Sequence, residues 1–336
     1  MRNAQIVSVA TELAPNRVPI AEVEARILAE SRAKRLPVSF IRRLTGVTTV
    51  YHRSDGMQTS DLAAAAAKTA LSRAGLTIHD IDLLLFASAS QDLIEPATSH
   101  IVAAKLGARG TPVMDIKNAC NSFLNGVQVA NSFIRSNQYN RILIVSGETP
   151  SMAVRWDNES KEQFLRSFPG FSMSDAGGAM IVQGTGGANG VHAVEFTALS
   201  DKWDVGTLAA GGSMRPRDDD AYYFDMDGGK LFDAFLSLGP EILNATLRQV
   251  DLTWEHFAFI GMHQISLPYL STVCDILGVP MARTVPTIQD FGNVTSISLP
   301  LQLELSIDSG RVHPGDDFAF VGFGGGISTG LGVFTL

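Results

Sequence analysis

The chain has 336 residues, a formal net charge of −8 and 45% hydrophobic residues, a composition typical of a folded globular protein rather than a disordered one. The acidic balance disfavours a broad nucleic-acid-binding surface. No run approaches the roughly 18 apolar residues of a membrane span, and the first apolar stretch is too short for a signal peptide. We therefore expect a cytoplasmic protein with no nucleic-acid partner and no membrane span. A basic cluster can be either solvated surface or a docking site for an acidic partner; its members are Arg32, Lys34, Arg35, Arg42 and Arg43.

Short apolar runs alternate with helical patterns along the chain, which favours an α/β fold with buried, largely parallel strands. A helix is predicted from Thr59, because a polar cap precedes an alanine run and Gly75 provides a stop. Another is predicted over residues 230–250. Strands are predicted at residues 5–9, 81–87, 111–116, 141–147, 178–182, 190–199, 257–262, 318–323 and 332–336.

The two halves of the chain follow a similar scheme, in which a long helix precedes an apolar strand. We infer an internal duplication, with an N-terminal half of residues 1–172 and a C-terminal half of residues 173–336. No low-complexity linker separates the halves, so they are expected to share one packed core.

Cys120 lies where an apolar, strand-like segment gives way to a helical pattern. At such a turn the side chain projects from the sheet edge, and the free N–H groups and dipole of the following helix favour a thiolate. The chain has only two cysteines, with no CxxC pair and no cluster of metal ligands beside them, so we expect reduced thiols and no metal. Cys274 lies on an apolar helical stripe and is predicted to pack in the core.

Two polar residues follow other strand-like or turn segments. His263 comes directly after the apolar run 257–262, so its imidazole is expected at the carboxyl end of a strand, where ligand sites of α/β sheets collect. Asn293 follows Phe291 and Gly292 and can reach the same sheet edge. A lone histidine or asparagine is more often structural, but together with Cys120 they form a candidate catalytic set.

Five stretches of the chain form a recognisable pattern: Thr45-Gly46-Val47, residues 115–126, His263-Gln264, residues 291–296 and residues 322–326. Together they resemble the thiolase-like condensing enzymes, and most closely the ketoacyl-(acyl carrier protein) synthase III group, over nearly the whole chain. The resemblance implies a five-layered α-β-α-β-α fold, a homodimer, no cofactor, and substrates carried on acyl carrier protein or coenzyme A. It also implies that Cys120 carries an acyl group while His263 and Asn293 stabilise an enolate. Backbone N–H groups of an oxyanion hole are implied at Gly324, Gly325 and Gly326.

Glu95, directly before Pro96, distinguishes two versions of this chemistry. The fatty-acid initiating enzymes usually have a bulky apolar residue there, whereas a similar glutamate occurs in relatives that join two acyl chains head to head. In those relatives it reaches the partner subunit's site and removes a proton from the α-carbon of the second chain. A malonyl donor needs no such base, because it forms its carbanion by losing carbon dioxide. The alternative for Glu95 is a solvated surface residue.

The predicted reaction is therefore a Claisen condensation between an acyl group on Cys120 and a second acyl thioester, in fatty-acid-like or polyketide metabolism. Two alternatives remain: a decarboxylative condensation that initiates fatty acid synthesis, and acyl transfer to an alcohol or amine without a new carbon–carbon bond. Phe40 and Leu44 occupy the places where the initiating enzymes have an aromatic residue and an arginine around the adenine of coenzyme A. Carrier binding is expected to differ accordingly.

Overall fold

The computed structural model describes residues 2–32 and 39–336. Lys34 and Arg35 of the predicted basic cluster lie outside the described residues. The strands are β1 (Asn3–Leu13), β2 (Asn16–Pro19), β3 (Thr49–His52), β4 (Leu83–Ala87), β5 (Val113–Ile116), β6 (Arg141–Glu148), β7 (Ala176–Thr185), β8 (Gly190–Ala198), β9 (Gly206–Thr207), β10 (Asp225–Met226), β11 (Phe259–Met262), β12 (Asp317–Gly324) and β13 (Ser328–Thr335). The α-helices are α1 (Ile20–Glu30), α2 (Phe40–Thr45), α3 (Thr59–Arg73), α4 (Thr98–Lys105), α5 (Ser122–Arg135), α6 (Lys161–Ser167), α7 (Gly228–Leu238), α8 (Glu241–Val250), α9 (Leu267–Leu277), α10 (Ile288–Phe291) and α11 (Ser298–Asp308). None of the helices in the described ranges is long and apolar enough to cross a membrane.

Two mixed sheets form the framework. The first has the strand order β1-β7-β6-β4-β5, and the second has the order β11-β12-β13-β8. Strand β4 is parallel to β5 and β6, and β11 is parallel to β12, whereas β7 and β13 are antiparallel to both of their neighbours. The expectation of largely parallel strands is therefore wrong for two of the four pairings in the first sheet and for two of the three in the second. Only residues 325–327 separate β12 from β13, and so short a connection closes an antiparallel hairpin.

Helices and sheets alternate in five layers. Helices α3 and α4 cover the outer face of the first sheet, α5 and α11 lie between the two sheets, and α7, α8 and α9 cover the outer face of the second. The α5 helix buries one broad face because it contacts strands of both sheets, and Phe123, Leu124 and Val127 are fully buried there. The main core combines side chains of both halves, such as Ile144 and Phe320. The layered fold and the shared core are thus confirmed.

The boundary between the sheets differs from the predicted division of the chain. Strand β7 belongs to the first sheet although it follows residue 172, and β8 is the first strand of the second sheet. The change of sheet therefore falls after Thr185 rather than at residue 172, because β7 completes the pairing of β1 and β6. The internal duplication itself stays a prediction.

The two predicted helices had different outcomes. Helix α3 is confirmed from Thr59, and Gln58 and Asp61 form a reciprocal capping box at its start. The helix predicted over residues 230–250 is wrong, because α7 ends before Gly239 and α8 begins after Pro240. Gly239 has a φ of 64°, and the ring of Pro240 cannot continue a helix from the preceding turn.

Helix α3 lies unusually close to the first sheet at a pair of glycines. Gly147 of β6 and Gly177 of β7 are directly opposite each other in the ladder. A Cβ atom on Gly147 would lie 2.2 Å from the Thr59 carbonyl oxygen, and one on Gly177 would lie 2.1 Å from the Leu62 carbonyl oxygen. Only glycine permits this approach, because backbone atoms of a packed helix cannot give way.

Replacement of Gly177 by alanine is therefore expected to lower the free energy of unfolding by about 3 kcal/mol, the upper range for overpacking a core. The change is measured by urea denaturation of Gly177→Ala beside Gly186→Ala, because a Cβ on Gly186 would meet nothing within 4 Å. Equal stability of the two variants would contradict the close helix–sheet contact.

Candidate active site

Cys120 lies in a tight turn between β5 and α5. The residue before it, Ala119, has a φ of 47°, in the left-handed region that costs a non-glycine residue energy. The turn is held by Ser122, whose hydroxyl accepts from the Asn118 N–H at 2.8 Å and donates to the Ala119 carbonyl at 2.7 Å. Cys120 keeps partial solvent exposure. The predicted position at the start of a helix is confirmed, two residues before Ser122 begins α5.

The glycine-rich end of β12 packs directly against this turn. A Cβ atom on Gly324 would lie 3.2 Å from the Asn118 carbonyl oxygen, and one on Gly325 would lie 3.6 Å from the Ala119 Cβ. Gly326 has a φ of 75° and turns the chain into β13. The loop therefore brings main-chain groups to the Cys120 turn, as the sequence suggested, while the oxyanion role of its N–H groups stays a prediction.

His263 follows β11 immediately, at the carboxyl end of the strand as predicted. Its backbone N–H donates to the Val321 carbonyl at 3.0 Å, so the residue lies beside the strand that leads into the glycine loop. The preceding peptide is fixed by Gln302, whose amide accepts from the Met262 N–H at 3.0 Å and donates to the Met262 carbonyl at 2.7 Å. Gln302 is fully buried, so it holds the end of β11 rigidly.

The His263 ring is buried and uncharged. Its Nδ1 lies 3.2 Å from the Ser298 hydroxyl, which itself donates to the Thr295 carbonyl at 2.8 Å. This network assigns the ring proton to Nδ1 and leaves Nε2 as an acceptor. Burial lowers the pKa of His263 to about 4, against the opposing effect of its hydrogen bond to the Thr295 backbone. The imidazole is therefore neutral at pH 7.

Asn293 is connected to His263 through the same segment. Its Oδ1 accepts the Thr295 N–H at 2.9 Å, and Thr295 in turn contacts the histidine. The Asn293 backbone donates to the Ser172 carbonyl at 2.8 Å and accepts from the Ser174 N–H at 2.9 Å. Because Oδ1 is used in this way, the Asn293 amide N–H groups are the part of the side chain that can serve as a donor.

The Cys120 thiol is protonated in the free protein, which differs from the expected thiolate. Burial raises the pKa of Cys120 to about 12, and the nearby Glu148 carboxylate adds to the rise. The Cys120 N–H opposes this shift, but it does not outweigh the loss of water around the sulfur. The resting pair is therefore a neutral thiol and a neutral imidazole, and the thiolate must form during the reaction.

Glu148, at the end of β6, was not recognised from the sequence. Its carboxylate is 1% exposed and accepts hydrogen bonds from the backbone N–H groups of Ala89 at 2.9 Å and Ser90 at 3.1 Å. The Ser90 and Ser296 hydroxyls also donate to it. A charged residue directly after a strongly apolar strand was the available signal, because it marks the same kind of sheet edge that holds His263.

Replacement of Glu148 by glutamine is expected to lower the pKa of Cys120, because the change removes a negative charge near the sulfur. Since alkylation requires the thiolate, iodoacetamide should modify Glu148→Gln about threefold faster or more at pH 8 than the protein without substitutions. In the protein without substitutions, the alkylation rate should rise about tenfold per pH unit between pH 7 and pH 10, because the Cys120 pKa of about 12 lies above that range. Glu159→Gln, at an exposed surface position, is the matched control. An unchanged alkylation rate in Glu148→Gln would argue against the electrostatic effect.

Two further residues singled out from the sequence are Glu95 and Cys274. Glu95 lies on the exposed loop before Pro96, and among the described residues no hydrogen bond or ion pair holds its carboxylate. The structure thus does not bring it to Cys120 of the same chain through any described contact. Cys274 is buried in α9, and its sulfur lies 3.7 Å from the Met262 sulfur, so its core position is confirmed.

A surface cavity of about 1040 Å³ opens beside α2 and α6. Leu44 at its wall is 60% exposed, whereas Phe40 is buried and packs on Phe164 with ring centroids 5.7 Å apart. Phe40 and Leu44 therefore do not form a stacked pair of an aromatic ring and a guanidinium group, and this agrees with the sequence, which has no arginine at position 44. The described walls are largely apolar, and they carry both basic side chains (Arg43, Lys161, Arg166 and Lys230) and acidic ones (Glu162 and Asp227). Asp227 pairs with Arg166 at 3.9 Å and with Lys230 at 3.5 Å.

Comparison with known sequences places the chain in a family. Residues 114–201 match the family model described as 3-oxoacyl-(acyl-carrier-protein) synthase III, and residues 247–336 match the model of its C-terminal part. A beta-ketoacyl-(acyl-carrier-protein) synthase III of Clostridium perfringens is 31% identical over 301 residues, which cover 88% of this chain and 90% of the relative. The enzyme of the same name from Cereibacter sphaeroides is 31% identical over 322 residues, 94% of each chain. The chain belongs to the 3-oxoacyl-(acyl-carrier-protein) synthase III family and is an acyltransferase of the condensing type.

Solved structures agree on the fold. The 3-oxoacyl-(acyl-carrier-protein) synthase III of Aquifex aeolicus superposes with a TM-score of 0.85 at 23% identity, covering 99% of this chain and 100% of that one. OleA of Xanthomonas campestris superposes with a TM-score of 0.90 at 21% identity, covering 99% and 98%. The fold is therefore the thiolase-like one that the motifs implied.

Proposed function

We propose that this chain forms a carbon–carbon bond by Claisen condensation of an acyl group on Cys120 with a second acyl thioester. The observation that carries the proposal is the meeting of three strand and helix ends: the Cys120 turn at the start of α5, the glycine end of β12 packed against it, and His263 at the end of the adjoining β11. This arrangement supports the proposal, because acyl transfer requires a nucleophile, main-chain donors and a proton acceptor at one site.

The first step loads Cys120. Its sulfur attacks the thioester carbonyl, its proton passes to Nε2 of His263, and the carrier thiolate leaves and takes that proton. The assignment of the ring proton to Nδ1 supports this direction, because only Nε2 is then free to accept. The loaded enzyme carries a Cys120 thioester and a neutral His263 again.

The second step forms the new bond. A carbanion at the α-carbon of the second thioester attacks the acyl carbonyl on Cys120, the carbon–sulfur bond breaks, and the released Cys120 thiolate takes a proton from water. The Asn293 amide N–H groups stabilise the enolate oxygen of the second thioester. Asn293 fits this role because its Oδ1 is fixed by Thr295, which orients the amide.

The carbanion has two candidate sources. We favour removal of an α-proton by Glu95, and loss of carbon dioxide from a malonyl donor is the second candidate. Two observations support Glu95. A similar glutamate occurs in the relatives that join two acyl chains head to head, and the exposed Glu95 carboxylate is free to enter the site of a partner subunit in a homodimer. The loop position suits action across an interface rather than within one chain.

Substitution of Glu95 by glutamine is expected to reduce condensation of two plain acyl thioesters by about 10²-fold or more, because the base is lost. Loading of Cys120 should be unchanged, since that step does not use Glu95. Both are measured with octanoyl thioesters, by product analysis and by intact-protein mass. Glu159→Gln is the matched control. Untouched condensation of octanoyl thioesters in Glu95→Gln would show that Glu95 is not the base. Condensation with a malonyl thioester but not between two octanoyl thioesters would leave the decarboxylative reaction, and an ester or amide product would overturn the condensation itself.

The carrier enters, in this proposal, through the cavity beside α2 and α6. Its wall includes the start of α7 at Gly228 and Lys230. Phe232 of the same helix contacts Tyr269, and Tyr269 contacts Phe323, the residue before Gly324 at the Cys120 turn. The basic groups of Arg43 and Lys161 suit the phosphate of a phosphopantetheine arm, whereas Lys230 is paired with Asp227 at 3.5 Å. Acyl carrier protein is favoured over coenzyme A because the adenine-stacking pair is absent at Phe40 and Leu44.

A further inference from the structure

Tyr269 carries a polar atom that packing alone does not explain. It lies in the first turn of α9, and its side chain is 7% exposed. Its ring packs edge-on against Phe232, with centroids 5.7 Å apart, and against Phe323, with centroids 6.2 Å apart. Within residues 2–32 and 39–336, its buried hydroxyl has no hydrogen-bond partner.

An unpaired buried hydroxyl destabilises a folded protein, because it loses its bonds to water without replacement. Phenylalanine would keep both ring contacts at this position without that penalty. A residue that breaks a local packing rule in this way is expected where function uses the polar atom.

The surroundings place this hydroxyl near the nucleophile. Phe323, which the Tyr269 ring contacts, directly precedes Gly324, and Gly324 packs against the Asn118 carbonyl in the Cys120 turn. Burial raises the pKa of Tyr269, and the negative charge of a Cys120 thiolate raises it further. The phenol therefore stays protonated at neutral pH and is available as a donor.

We propose that the Tyr269 hydroxyl donates a hydrogen bond to the carbonyl oxygen of the acyl thioester that reacts with Cys120. The inference rests on the proposed function and adds a substrate-contacting residue that the sequence motifs did not suggest. As the sulfur attacks, negative charge develops on that oxygen, so the hydrogen bond is stronger in the transition state than in the bound substrate. The thioester also supplies the partner that the hydroxyl lacks in the free chain.

The test compares Tyr269→Phe with the chain without substitutions, with Cys120→Ala, and with Tyr222→Phe, a matched change at a tyrosine that is 54% exposed. Loading by octanoyl-CoA and by octanoyl carrier protein is followed over time by intact-protein mass, and thermal unfolding is measured on the same samples. We expect Tyr269→Phe to load about tenfold more slowly or worse at saturating donor. Its unfolding temperature should be equal or higher, because an unpaired buried hydroxyl has been removed. Tyr222→Phe should match the unmodified protein in both measurements.

The outcomes separate this inference from the proposed function. Slow loading with undiminished stability supports the role of Tyr269. Loading at the unmodified rate overturns it and leaves the function of Cys120 intact, and slow loading with reduced stability also overturns it, because the hydroxyl would then have a structural partner. If the unmodified protein takes up no acyl mass, or Cys120→Ala takes up as much, the proposed function fails and this inference fails with it.

Discussion

Replacement of Cys120 by alanine is expected to abolish acyl loading and to reduce condensation by at least about 10³-fold, since removal of a covalent nucleophile leaves only the contribution of binding and of the oxyanion donors. Loading is measured as the mass added to the intact protein by an acyl thioester, and condensation as product formed per enzyme. The expected effect is large because the proposed reaction has no path that bypasses the cysteine thioester.

Cys274→Ala provides the matched control for this experiment. Cys274 is buried beside Met262 and makes no described contact with the Cys120 turn, so the variant should load at nearly the unmodified rate. It should be less stable, by about 1 to 2 kcal/mol for the small cavity created. Acyl mass retained in Cys120→Ala and lost in Cys274→Ala would exchange the two roles and overturn the proposed site.

Substitution of Asn293 by aspartate is expected to lower condensation by about 10²- to 10³-fold, the usual cost of losing one donor to a developing oxyanion. The aspartate keeps an oxygen for the Thr295 N–H, which the Asn293 Oδ1 accepts at 2.9 Å, so the local backbone is preserved. It offers no donor to an enolate and adds a negative charge beside it. The loss should therefore appear in the second step.

The step is identified by measuring loading and condensation separately. Cys120 should still take up the acyl group at a rate within a few fold, about threefold or less, because the enolate forms only afterwards. Asn244→Asp, an exposed position on α8, is the matched control and should change neither rate. Equal losses in loading and condensation would show that Asn293 supports the cysteine rather than the enolate.

Local sequence signals predicted much of the secondary structure because their physical causes are themselves local. The polar residues Thr59, Ser60 and Asp61, the alanine run and Gly75 are sufficient to indicate α3, although the N-cap itself is Gln58. The break between α7 and α8 is also encoded locally, by Gly239 and Pro240. The prediction of one helix over residues 230–250 is wrong because it relies on apolar periodicity and not on the proline.

The candidate site was predicted as a set of residues but not as an electrostatic environment. Residue type and position after a strand or turn indicated Cys120, His263 and Asn293, because sheet edges gather such side chains. The thiol state of Cys120 was not foreseen, since it depends on burial and on Glu148, which comes from a different strand. Tyr269 was missed for the same reason: its hydroxyl is notable only once the packing around it is known.

The sequence by itself determined the α/β class, the limits of α3, the nucleophile candidate and the membership of a condensing-enzyme family, because each of these follows from residues adjacent in the chain or from motifs within short windows. The tertiary structure alone decided the strand directions, the assignment of β7 to the first sheet, and the protonation states of Cys120 and His263. Those properties depend on which distant segments pack together and exclude water, and no local pattern specifies that.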